Sequence, residues 1–226
     1  MTLATIGGSV DIASSKFILD GQEEPGRALE MDGVSIAGVF RVAECEVTDT
    51  ASFRGSRFAT QASIERVAIK SVSGGPGELT LDQSTFESEL RVGPMVFAKE
   101  ISARSVRVAA DLVVVGISRG DRTRLCIDRA QVSGGLAVAD CDFTGQISAG
   151  GARLGSLQVE SSKLWGPGMA PGVTNDFYER NPSSTYCLAG DGLRVAGDVR
   201  LGPNLKALGE LRLIGADIGG QLQLPR

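Results

Sequence analysis

The sequence predicts an all-β fold, a parallel β-helix that runs as a single domain through residues 1–226. Three observations carry this reading. Apolar residues recur with an 11-residue period. Glycine pairs and β-branched residues stand where a helix would need good helix formers. The composition is rich in glycine, at 30 residues, and poor in aromatics, at 5%, which suits tight corners around a core of small branched side chains.

The period is tested first, because a missed repeat misassigns the whole fold. Leu79, Leu90, Ile101 and Leu112 are spaced 11 apart, as are Leu81, Val92, Ala103 and Val114, and Phe86, Phe97 and Val108. The unit is an apolar pair at i and i+2, then a larger apolar residue at i+7. The same register fits Leu29/Met31/Ile36, Phe40/Val42/Val47, Ala51/Phe53/Phe58 and Ala62/Ile64/Ile69. It returns at Leu125/Ile127/Val132, Leu136/Val138/Phe143, Ile147/Ala149/Leu154 and, one residue short, Leu157/Val159/Leu164; Leu211/Leu213/Ile218 and Leu222/Leu224 resume it.

An i, i+2 pair places both side chains on one face of a short strand, since successive residues alternate. An 11-residue period could also wind a right-handed coiled coil. Gly-Gly at 7–8, 74–75, 134–135, 150–151 and 219–220, with many Val, Ile, Ser and Thr, is poor helix material. Strand is the expectation.

Ahead of the large residue, position i+5 is small: Cys45, Ser56, Ser84, Cys141, Ala152 and Ala216. An inward position beside a corner has little room. The five-residue pieces AECEV, DQSTF, ADCDF, GGARL and IGADI resemble the pentapeptide-repeat family, although six-residue pieces such as ESELRV and SGGLAV alternate with them. The run 188–224 is similar to bacterial repeat proteins often labelled membrane-associated oxidoreductases. The resemblance implies a right-handed, quadrilateral (four-sided) β-helix. No dinucleotide fingerprint, flavin site or membrane segment accompanies it, so the labelled activity is not carried over.

Two units make one turn of 22 residues. Roughly 17 units then give about eight turns, on the order of 40 Å at the inter-strand spacing. Each turn buries its apolar face only against its neighbours. The pattern is interrupted at 18–28, about 70–78, about 115–124, 165–187 and about 202–210, each time after an odd-numbered unit. Equal parity predicts that all five insertions emerge on one flank.

The interruption at 165–187 holds the one tryptophan and both tyrosines. Long loops in compact domains tend to be functional, and Trp, Tyr and Arg are favoured interface anchors. Trp165, Phe177, Tyr178, Arg180 and Tyr186 are therefore the candidate partner-binding residues. The alternative is that these aromatics fold back over the helix wall.

Histidine is absent, which excludes Ser-His-Asp and Cys-His pairs, His-ligated zinc and an imidazole proton shuttle. With no acidic metal-ligand pattern either, no catalytic residue, metal or cofactor is assigned, and a non-enzyme is expected. The four cysteines lack Cys-x-x-C spacing. Cys45 and Cys141 are expected in the core, Cys126 outside it between Leu125 and Ile127, and Cys187 at the end of the long loop. The Ser118-Arg119-Gly120-Asp121 stretch reads as a solvated turn.

Twenty-three basic residues against 27 acidic give a net charge of −4, which argues against a broad nucleic-acid surface. No stretch reaches the roughly 18–20 apolar residues that span a bilayer, and the N-terminus lacks a basic region followed by an apolar run. A soluble cytoplasmic protein is expected. The repeat runs almost from end to end without a capping helix, and unprotected strand edges invite pairing; end-to-end self-association, as a homo-oligomer, is expected, unless the chain is part of a longer one. The leading function is a non-catalytic scaffold or protein-protein interaction module with a protein partner. The resemblance also implies two alternatives: a DNA-mimicking topoisomerase-binding protein, for which −4 is a mild charge, or a cofactor-binding domain associated with an oxidoreductase.

Overall fold

The computed structural model describes residues 4–18, 27–70, 77–96, 99–118, 123–166 and 186–224. The described residues are all β, with no helix, and the strands pair in parallel. Strands are two to nine residues long, and their order follows a fixed rotation. Arg27–Glu30 is followed by Val34–Ile36, Phe40–Ala43 and Glu46–Thr48; the next strand, Thr50–Ser52, then pairs with Arg27–Glu30. Each later strand up to Gln131–Ala139 pairs in the same way with the one four before it, and the four ladders continue beyond it.

Ladder one runs from Ala4–Ile6 through Val34–Ile36, Arg57–Phe58, Thr85–Phe86 and Arg107–Val108. Ladder two runs from Val10–Ala13 through Phe40–Ala43, Ala62–Glu65, Leu90–Val92 and Leu112–Val115. The long strands Gln131–Ala139 and Arg153–Glu160 carry through from ladder one to ladder two and join them in a 16-stranded sheet. Ladder three is a five-stranded sheet from Lys16–Phe17 to Ile117–Ser118; Asp142–Phe143, Lys163–Trp165 and Lys206–Leu208 then take the same place in the rotation as a three-stranded sheet. Ladder four is an eight-stranded sheet from Arg27–Glu30 to Glu210–Arg212.

The register follows the apolar units. Leu79 pairs with Ile101, Leu90 with Leu112 and Phe86 with Val108, so inward residues stack on their own kind. The triplets Leu79/Leu81/Phe86 and Leu136/Val138/Phe143 are buried in one contiguous cluster fed by all four ladders. Full burial of such a side chain contributes about 1.5–3 kcal/mol. Phe58 and Phe86 stack with centroids 4.7 Å apart, and Phe40 packs on Phe58 and Phe53. The stack thins toward residue 224, where Leu211, Ile214, Leu222 and Leu224 are exposed.

The small i+5 positions do more than save space. Buried Ser56 donates to the Met31 carbonyl at 2.7 Å, and buried Ser84 to the Phe53 carbonyl at 2.6 Å. Each hydroxyl thus satisfies a carbonyl of the preceding turn. Cys45 and Cys141 fill the equivalent corner between ladders two and three, as expected of core cysteines. Left-handed backbone recurs between ladders four and one, at Gly33, Gly55, Gln83, Ser105, Arg129, Gly151, Gly192 and Gly215. Glycine takes up this conformation without the Cβ clash that costs other residues roughly 1–2 kcal/mol, and so the corner is one source of the high glycine content.

Four of the five interruptions lie between a ladder-three strand and the next ladder-four strand. The fifth differs. Lys163 pairs with Lys206 where Leu157 pairs with Val199, so the added residue falls one corner earlier, beside Asn204 with its left-handed φ of 60°. Sequence shows that a turn is longer than 22 residues but not which corner absorbs the excess.

Candidate functional site

Trp165 and Tyr186 are the two candidate residues within the described structure; Phe177, Tyr178 and Arg180 lie outside the described residues. Trp165 ends a ladder-three strand. Leu164 before it faces the core, so alternation directs the indole outward. Its Nε1 donates to Asp142 Oδ1 at 2.8 Å, and the half-buried ring is held on the outer face of the ladder. Tyr186 opens the next ladder-four strand and is also half-buried. The Arg212 guanidinium lies 4.9 Å from its ring centroid, in cation–π range. Arg212 is gripped in turn by Asp191, with Nε–Oδ1 and Nη2–Oδ2 both at 2.9 Å.

Both anchors are thus fixed by a partner on a neighbouring strand. Cys187 is not a loop residue: it sits in the strand Tyr186–Ala189 with its side chain fully buried. An inward residue cannot take part in an outward contact.

A second cluster lies on the outer face of ladder four, and sequence reading missed it. Glu100 is 1% exposed although it carries a charge. It accepts from Arg104 Nη2 at 2.7 Å and from Arg124 Nε at 2.6 Å, each guanidinium half exposed. Glu78 stands opposite Glu100 on the adjacent strand. Burial, then the Glu100 charge, pushes its carboxyl above the usual range.

Beside this cluster runs a repeating bracket. Asp32 Oδ1 accepts from Ser52 Oγ at 2.6 Å and from the Arg54 N–H at 2.8 Å. Asp82 does the same with Ser102 and Arg104, and Asp128 with Ser148 and Gly150. The signal was present in the sequence as Asp followed 20 residues later by Ser, but it acquires meaning only once the ladder register is known.

Cys126 is outside the core, as its position between Leu125 and Ile127 requires, yet only 4% exposed. Its Sγ lies 3.3 Å from Asp128 Oδ2, and burial pushes the thiol up to about 11. Burial likewise pushes Cys141 up to about 12. Neither thiol is poised as a nucleophile, which requires a stabilised thiolate. Among the described residues no group of three or more Cys, Asp or Glu side chains is arranged to hold a metal ion. Nor, among the described residues, is any helix long and apolar enough to cross a membrane. No family model, curated protein or solved structure matches the chain.

Proposed function

We propose that the chain is a non-catalytic scaffold or protein-interaction module, built as a right-handed, four-sided parallel β-helix with its longer insertions on one flank. The strict rotation through four ladders supports the coil. The placement of four interruptions between ladders three and four supports the common flank. The observation that carries the binding role is the pair of anchored aromatics: Trp165 on Asp142 and Tyr186 under Arg212 bracket the longest insertion. Aromatic side chains fixed before binding lose little further entropy on contact. That arrangement supports partner contact by this flank.

The test compares the parent with a deletion of residues 166–185 in affinity capture followed by mass spectrometry, with far-UV circular dichroism to verify the strands. A partner held by the parent and lost by the deletion supports the reading, and Trp165→Ala and Tyr186→Ala should each weaken the same interaction. Flavin or nicotinamide co-purifying with the protein would overturn it in favour of a cofactor-binding role.

A further inference from the structure

A second surface lies on ladder one, away from the Trp165–Tyr186 flank. Its outward column reads Ser35, Arg57, Thr85, Arg107, Gln131, Arg153, Arg194 and Asp217, each residue opposite the next in register. Arg57 is neutralised by Glu87 at 3.0 Å. On later strands the residues in Glu87's place are Ala109, Ser133, Gly155, Ala196 and Gly219, and none can offer a carboxylate. Arg107, Arg153 and Arg194 are exposed and carry no ion pair, and neither does exposed Arg129 at the turn leading into the ladder. Every other arginine among the described residues lies within 4.0 Å of a carboxylate oxygen. Asp217 follows Arg194 on the next strand without closing to that distance.

Arg153 and Arg194 are directly opposite, one inter-strand spacing apart, and like charges so placed destabilise a sheet. The column keeps this cost and brings no carboxylate within 4.0 Å of Arg107, Arg153 or Arg194. Two shallow hollows of about 250 and 270 Å³ run beside it, sharing Arg153, Leu154 and Ala196, so a chain laid along the column meets a floor of small residues.

We propose that Arg107, Arg153 and Arg194, with Arg129, form a docking strip for an extended acidic segment of a partner protein. Arg107 and Arg153 stand two strands apart, about 10 Å. Acidic residues three apart in a polyproline-II-like segment share a face and are spaced by about 9 Å. Guanidinium groups match carboxylates in paired hydrogen bonds. The interior strands already use their backbone groups in the ladders, so recognition is by side chain. Single-stranded nucleic acid fits less well, because the strip has no aromatic side chain on which bases could stack.

The inference rests on the interaction-module reading only in taking the partner to be a protein, since the strip shares no residue with the Trp165–Tyr186 flank. The probe is a fluorescein-labelled (Glu-Pro-Pro)n peptide of about 15 residues, titrated by anisotropy at about 50 mM salt, with an oligothymidylate of equal charge in parallel. The peptide should bind more tightly than the oligothymidylate. The triple variant Arg107→Gln, Arg153→Gln, Arg194→Gln should lose at least about tenfold in affinity, as expected for three partly exposed charge pairs. A control pair on ladder two, Arg41→Gln with Arg91→Gln, should leave binding unchanged, and an unaltered melting temperature shows that the variants fold. Absence of saturable peptide binding, an equal loss in the control or tighter binding of oligothymidylate would each overturn the proposal. The deletion of residues 166–185 leaves the strip in place, so failure at one surface is distinguishable from failure at the other.

Discussion

The outer faces of ladders four and one are built from the same parallel stacking, yet they treat charge in opposite ways. On ladder four, Glu100 is buried between Arg104 and Arg124. The bracket column beside it alternates in sign through Asp32, Arg54, Asp82, Arg104 and Asp128. On ladder one, Arg107, Arg153 and Arg194 are exposed without an ion pair, and Arg153 faces Arg194 directly. A parallel ladder brings the same position of successive turns within about 5 Å, so a column either alternates and neutralises itself or repeats and accumulates charge. Neutralised columns hold a fold together. Accumulated charge is a surface waiting for a counter-charge.

The sharpest way to break this comparison is to remove both arginines around Glu100. Arg104→Ala with Arg124→Ala leaves a buried carboxylate uncompensated, which costs about 3–5 kcal/mol. Urea denaturation at neutral pH should show the loss as a lower midpoint. Adding Glu100→Met, which replaces the stranded charge by an apolar side chain of similar length, should recover most of it. A double variant as stable as the parent would show that ladder four does not depend on its internal pairing.

Glu78 gives a smaller and pH-dependent effect. Its carboxyl is raised by burial and then by Glu100, so in the relevant range the folded chain binds more protons than the unfolded one. Stability therefore falls as pH rises from the unfolded value near 4.5 through the raised folded value, and the penalty persists at neutral pH. Glu78→Gln should flatten that part of the stability–pH curve and make the protein more stable at neutral pH. With the residue half exposed, the gain should stay below about 1 kcal/mol. Stability that climbs through the same window would contradict the assignment.

The difference between the two faces also marks what was legible in the sequence. Leu79, Leu81 and Phe86 were legible as core because inward positions repeat along the chain, and the structure buries them. The two small cysteines, Cys45 and Cys141, followed from the same register. Glu100 was not legible, because its arginine Arg124 lies 24 residues away, on the neighbouring strand. The position between Leu125 and Ile127 keeps Cys126 out of the core cluster, but that position did not show that it would be buried. Of the partner-binding residues, the sequence grouped Trp165 with Tyr186 as one loop, whereas the structure fixes them on different ladders by Asp142 and Arg212. The arginine column was legible residue by residue, but seeing it as a column required Arg107, Gln131, Arg153 and Arg194 to be aligned in register.

The smallest effect is the one that separates the two faces most directly. Arg153→Gln removes a charge that has no ion-pair partner to lose, and it relieves the repulsion with Arg194. Its stability should match the parent or exceed it by a few tenths of a kcal/mol, where loss of the arginines on ladder four is costly. Salt provides the control. Screening contracts from about 10 Å at 0.1 M to about 3 Å at 1 M, so added salt should stabilise the parent slightly and close the gap to Arg153→Gln. If Arg153→Gln is instead less stable than the parent by 1 kcal/mol or more, Arg153 has an internal counter-charge, and ladder one is held together in the same way as ladder four.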